Sequence, residues 1–301
     1  MRQDNRSTYL RPDVVSRLST MEMRARLVVE GFITGLHKSP YHGFSVEFAE
    51  HRQYMPGDEI RRIDWKVLGR TDRYYIKQFE EETNLKSYLV LDTSRSMQFK
   101  SEGEVTKLQY ASYLAAALAY LLMRQQDAVG LLTYDEELRT YMPPHSTKVY
   151  LQSILKELEQ LEAANATGTG RALNMAAERL NRRGLVMIFS DLFDDPDAVL
   201  SALKHFRYNQ HEVLLFHILD PRERNFAFGR DAIFRDMESN EEMMTQPHQI
   251  QRAYQEAMRD FIARYKKECR EQRIDYVLLD TAMPFDTALF EYLNKRKKIG
   301  G

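Results

Sequence analysis

Apolar positions fall into two regimes along this chain. From Arg2 to about Asn84 the apolar runs are short and interleaved with Arg, Glu and Tyr. From Leu85 onward, short apolar runs alternate with longer stretches of helical periodicity. The second regime predicts strands over 86–92, 128–134, 185–190, 212–219 and 275–279, with 138–142 as an antiparallel edge. Helices are predicted over 106–125, 148–161, 170–181, 196–206, 247–272 and 285–296. The long one carries Ile250, Tyr254, Ala257, Phe261, Tyr265 and Cys269 at helical spacing, one apolar face to bury. Strands alternating with helices imply an α/β fold, a mainly parallel sheet with helices on both faces.

The first regime reads as a small β-containing N-terminal subdomain, residues 1–84, preceding the α/β domain of residues 85–301. A helix is expected over 20–36, ended by Lys38-Ser39-Pro40. Strands are expected over 43–54 and 73–80, around a turn at Pro56-Gly57-Asp58 and a helical piece over 60–68.

Composition narrows the function classes. Lys and Arg total 43 against 44 Asp and Glu, a formal charge of −1, so no long-range field draws the protein to nucleic acid or anionic lipid. One cysteine, Cys269, excludes an intrachain disulfide and a Cys-based metal cluster. The N-terminus has no apolar leader pattern, and the uncharged stretch 110–123 is too short to span a bilayer. The expected location is the reducing cytoplasm.

Each predicted core strand ends in, or is followed at once by, an aspartate: Asp92, Asp135, Asp191, Asp220 and Asp280. In an open parallel sheet, ligands bind beyond the carboxyl ends of the strands. Asp135, Asp220 and Asp280 read as helix caps or turn residues. Asp92 begins the string Asp92-Thr93-Ser94-Arg95-Ser96, in which alternate residues of a tight loop face one point. A carboxylate and two hydroxyls are hard oxygen ligands, suited to Mg²⁺ or Mn²⁺ rather than zinc. The small-residue loop Ala166-Thr167-Gly168-Thr169-Gly170 offers Thr167, with Thr169 as the alternative, and the strand over 185–190 delivers Asp191. Five oxygen ligands then leave one octahedral position open.

This ordered set resembles the metal-ion-dependent adhesion site of von Willebrand factor A domains, a Rossmann-type α/β fold. The resemblance implies that Asp92, Ser94, Ser96, Thr167 and Asp191 hold the cation and that a partner's Glu or Asp completes its shell. Leu192-Phe193 stands where that family commonly has Gly after the distal aspartate. A narrower resemblance covers nearly the whole chain. It runs through Val46-Glu47-Phe48, Arg52-Gln53-Tyr54, Gly57-Asp58, Arg61-Arg62-Ile63-Asp64-Trp65-Lys66, Lys77-Gln78-Phe79-Glu80 and Asp220-Pro221-Arg222-Glu223. These motifs are similar to the bacterial family called domain of unknown function 58. That resemblance implies chaperone-like adaptor work with a MoxR-type AAA+ ATPase.

Binding is preferred to catalysis because no histidine falls in a predicted loop of the metal edge, leaving no positioned base. No Walker-type glycine-rich loop occurs either. The alternative is a metal-dependent phosphoester hydrolase with Asp92 as nucleophile, but the second acid expected two positions on is Ser94. Arg61, Arg62, Asp64 and Trp65 read as scaffold, His217 as a satisfied core histidine, and Asp195-Pro196 as an N-cap and first helical residue.

Overall fold

A computed structural model describes residues 10–37, 51–53, 69, 74–77, 86–101, 103–228, 232–235, 242–245 and 247–299. The chain forms two compact units, one of Met1–Phe32 with Leu85–Gly301 and the other of Ile33–Asn84. The first 32 residues, expected with the N-terminal zone, thus group with the α/β part. In the smaller unit, β1 (His51–Gln53) pairs antiparallel with β2 (Tyr75–Lys77). The helical piece over 60–68 and the Arg61, Arg62, Asp64, Trp65 set lie outside the described residues.

The larger unit opens with α1 (Pro12–Val15) and with α2 (Met21–His37) as far as Phe32. The Met21 N–H donates to Glu159, and the Arg24 guanidinium lies over the Tyr113 ring at 4.9 Å. The α/β pattern then runs β3 (Lys86–Asp92), α3 (Lys107–Arg124), β4 (Ala128–Tyr134), β5 (Leu138–His145), α4 (Lys148–Glu159), α5 (Thr169–Arg179) and β6 (Leu185–Ser190). It continues with α6 (Pro196–Tyr208), β7 (Glu212–Leu219), α7 (Pro221–Asn225), the hairpin β8 (Ala232–Arg235) and β9 (Glu242–Thr245), α8 (Pro247–Glu271), β10 (Asp275–Asp280) and α9 (Phe285–Ile299). The core strands and helices match the periodicity. The pattern did not mark α1, α7 or the β8–β9 hairpin, all short and without a long apolar face.

Six strands form the main sheet in the order β10-β7-β6-β3-β4-β5, all parallel except β5, which runs antiparallel to β4. Leu89, Val90 and Leu91 are all fully buried, as a sheet covered on both faces requires. One face packs Tyr88, Val90, Val186 and Ile188 against Ala172 and Leu173 of α5, Leu203 and Phe206 of α6, and Tyr265 and Cys269 of α8. On the other face lie α3 and α9, joined where Tyr110 stacks on Phe285 with ring centroids 4.7 Å apart. This is the α/β, von Willebrand factor A-like architecture expected. The chain lays down β3, β4 and β5 in one direction and then returns to place β6 on the other side of β3. The order therefore reverses between β3 and β6, the switch point beyond whose carboxyl ends open α/β sheets form their ligand cleft.

Gly170, in the first turn of α5, lets that helix approach α6 closely: a Cβ there would lie 2.6 Å from Ala198 Cβ and 3.0 Å from its carbonyl carbon. Gly170→Ala is expected to destabilise the protein by about 1–3 kcal/mol through overpacking. Ala198→Gly should restore only part of that loss, because backbone atoms also crowd the new methyl. Urea unfolding of the single and double variants measures both effects.

Candidate metal centre

The apolar run of β3 delivers Asp92 to this cleft, fully buried. Its Oδ1 accepts the Ser94 backbone N–H at 2.9 Å, closing an Asx turn. Its Oδ2 accepts Ser190 Oγ at 2.6 Å and Thr169 Oγ1 at 3.3 Å. Ser94 occupies the cap position of a single 3-10 turn, Arg95–Gln98, yet its side chain makes no capping bond. Its Oγ lies instead 3.1 Å from Ser96 Oγ. The loop before α5 is pinned against this turn, Ala164 N–H donating to Thr93 O and Arg95 N–H to Asn165 O.

The structure thus brings Asp92, Ser94, Ser96 and the threonine loop together. The threonine hydroxyl on Asp92 is that of Thr169, which is buried, while Thr167 lies half-buried two residues earlier. Asp191 follows at the end of β6, and its carboxylate is engaged elsewhere. Oδ1 accepts the Phe193 N–H at 3.2 Å, and Oδ2 accepts Lys107 Nζ at 2.7 Å. Lys107 is fully buried, donates also to Glu223 Oε1 at 2.6 Å, and sits 4.8 Å from the Phe193 ring centroid. Glu223 Oε2 accepts the Asp220 N–H, half of a capping box that starts α7. Leu192 takes the left-handed conformation with φ 59°, which explains why a glycine suits this position.

The remaining rim aspartates serve as the caps and turns expected. Asp220 accepts the Arg222 N–H and the Ser101 N–H, Asp135 the Glu137 N–H, and Asp280 the Ala282 N–H. His217 is buried with both ring nitrogens bonded, Nε2 to the Asp191 carbonyl and Nδ1 to the Tyr276 hydroxyl. A carbonyl only accepts, so Nε2 carries the proton and Nδ1 accepts from Tyr276. Burial pushes this imidazole down to about 4, so it stays neutral as a core group. Burial also pushes the Cys269 thiol up to about 12, so it is no nucleophile at neutral pH.

Two carboxylates, those of Asp191 and Glu223, hold one ammonium, and the Asp92 carboxylate lies close to that of Asp191. Burial, and then the Asp191 charge, push Asp92 up to about 6. Burial likewise raises Glu223, against the pull of Lys107. For Lys107 burial favours the neutral amine, but Asp191 and Glu223 outweigh it and the pKa is raised. The Tyr134 hydroxyl is buried beside the Ser190 and Thr169 hydroxyls, and burial followed by the Asp92 charge holds its phenol protonated. Among the described residues, no three His, Cys, Asp or Glu side chains form a metal-binding group. A cation here would depend on hydroxyl oxygens beside Asp92.

Sequence reasoning did not single out Lys107, Ser190 or Tyr134. One signal for Lys107 was present: a lysine at the first position of an otherwise apolar helix opposes the helix dipole and needs a nearby carboxylate.

The fold is von Willebrand factor A-like, and its sheet ends in a carboxylate- and hydroxyl-lined edge. Residues 50–264 match the family described as protein of unknown function DUF58, and the chain belongs to that family. An uncharacterized protein of Mycobacterium tuberculosis is 29% identical over 232 residues, 76% of this chain and 72% of that protein. An aerotolerance-related membrane protein from Bacteroides fragilis shares the fold, with a TM-score of 0.50 at 19% identity over 70% of this chain and 99% of that one. The SpRpn10 VWA domain aligns with a TM-score of 0.39 at 10% identity, over 68% of this chain and 93% of that domain. Among the described residues, no helix is long and apolar enough to cross a membrane.

Lys107→Met leaves two buried carboxylates uncompensated and is expected to cost about 3–5 kcal/mol. Adding Asp191→Asn and Glu223→Gln should recover most of that loss in urea unfolding with a chelator present. Asp92 sets a pH dependence of the opposite sense from a salt-bridged acid. Its folded pKa, about 6, exceeds the unfolded 3.8, so its contribution is full below pH 4 and is lost as pH rises to about 6. The loss amounts to about 3 kcal/mol. In metal-free buffer, Asp92→Asn should remove this component from the stability profile.

Proposed function

We propose that this protein is a non-enzymatic interaction module that holds Mg²⁺ or Mn²⁺ at the edge of its sheet. In this reading it works in the cytoplasm as a chaperone-like adaptor with a MoxR-type AAA+ ATPase. The observation that carries the metal is the Ser94–Ser96 hydroxyl pair, 3.1 Å apart and free of capping duty beside a buried carboxylate. Ligands at 2.0–2.1 Å in an octahedron stand about 3 Å apart on each edge, so this spacing suits two adjacent ligands. The excess of buried carboxylate over ammonium points the same way.

Asp92, Ser94 and Ser96 would hold the cation, with Thr169 or Thr167 as the threonine oxygen. Asp191, tied to Lys107 and the Phe193 N–H, would contribute its negative charge. When bound, the cation would supply an open position for a carboxylate of the protein partner. The ATPase part of the reading rests on the family resemblance.

Calorimetric titration with Mg²⁺ and Mn²⁺ tests the metal. Ser94→Ala with Ser96→Ala leaves the Lys107 ion pairs intact, so loss of binding there cannot be put down to misfolding. Binding at least tenfold weaker in that variant and in Asp92→Ala is expected, together with metal-dependent capture of a purified MoxR-type ATPase. Absence of binding at millimolar ion would remove the metal, and metal-dependent hydrolysis of p-nitrophenyl phosphate would replace the adaptor with a hydrolase.

A further inference from the structure

The amino ends of β7 and β10, at the end of the sheet away from the carboxylate rim, border a cavity of about 720 Å³. Five cations line it: Arg207 from the end of α6, and Lys266, Lys267, Arg270 and Arg273 from the end of α8 and the turn after it. Two carboxylates, Glu212 and Asp275, stand against them, and Arg207 already pairs with Glu212 at 3.3 Å. Helix C-termini favour cations, which accounts for basic residues in these last turns. It does not account for the absence, among the described residues, of ion pairs at the cations from α8 and the turn after it. Elsewhere on α8, Arg252 pairs with Glu256, Arg264 with Asp197, and Glu268 with Lys204. Lys266, Lys267, Arg270 and Arg273 are all exposed and make no ion pair among the described residues.

We propose that this groove binds an extended acidic segment of a partner polypeptide, independently of the metal. Lys266 and Arg270, four positions apart on α8, stand about 6 Å apart along its axis, and Arg273 follows in the turn after the helix with φ 57°. In an extended chain, alternate side chains on one face recur about every 7 Å, so a segment with alternating carboxylates can set successive charges against Lys266 and Arg270. Ile274, buried, and Tyr276, half-buried, give the groove an apolar lining that a peptide backbone can cover. The cations line a concavity with this floor, which suits a peptide better than a flat lipid surface.

The test is fluorescence anisotropy with a labelled decapeptide of alternating Glu and Gly, and with the same peptide carrying Gln. A chelator in the buffer keeps the peptide carboxylates from any cation at the other edge. The Glu peptide should bind, weaken steeply with salt, and bind at least tenfold more weakly to Lys266→Glu with Arg270→Glu. The milder pair Lys266→Gln with Arg270→Gln should fall between, with melting curves of both variants unchanged. Binding should persist in Ser94→Ala with Ser96→Ala, which separates this site from the metal reading. Equal binding of the Gln peptide, or undiminished binding by the charge-reversed variant, overturns the proposal. So does failure of the Glu peptide while pyrophosphate or phosphatidylglycerol vesicles bind.

Discussion

Lys107 is withdrawn from water to sit between Asp191 and Glu223, with Asp92 close enough to Asp191 for the two carboxylates to repel. Desolvating an ion costs several kcal/mol, and only close pairing offsets it. The ammonium therefore fixes three elements at once: the start of α3, the end of β6 and the capped turn that opens α7. Asp92 receives hydroxyl and amide hydrogen bonds but no ammonium. The carboxyl edge is held together by a charge pairing that is incomplete, and the incompleteness faces the hydroxyls of Ser94 and Ser96.

Topology makes that arrangement possible. Because the strand order reverses between β3 and β6, the turns leaving these neighbouring strands diverge, and the cleft between them receives side chains from both. The loop before α5 is drawn over it by backbone bonds to Thr93 and Arg95 and brings the Thr169 hydroxyl to Asp92. Gly170 permits the close approach of α5 and α6 that keeps this loop in place, and its N–H donates to Asp194. The net charge of −1 conceals a polarity along the strands: buried carboxylates gather at one end, and at the other stand cations without ion pairs among the described residues.

Much of this was legible along the chain. The core strands and helices followed from periodicity, because a sheet covered on both faces demands continuous apolar strands and each helix demands one apolar stripe. The Asp92-Ser94-Ser96 string was legible for a different reason. Three residues within five positions are constrained by local turn geometry, and the Asx turn closed by Ser94 is such a constraint. His217 and the capping aspartates also read correctly, since strand burial and helix starts are local features too.

What required the tertiary structure were pairings between residues distant in sequence. Lys107 meets Asp191 across 84 positions and Glu223 across 116, and Ser190 reaches Asp92 across 98. No local pattern specifies such partners; they follow from the strand order, which brings β3 beside β6 and places α3 and α7 at the same edge. The sequence by itself determined the elements and the hydroxyl string, because these depend on spacing along the backbone. Only the folded chain decided that Thr169 bonds to Asp92, that an ammonium holds Asp191, and that four cations near the end of α8 border one groove, because each depends on which surfaces the sheet brings together.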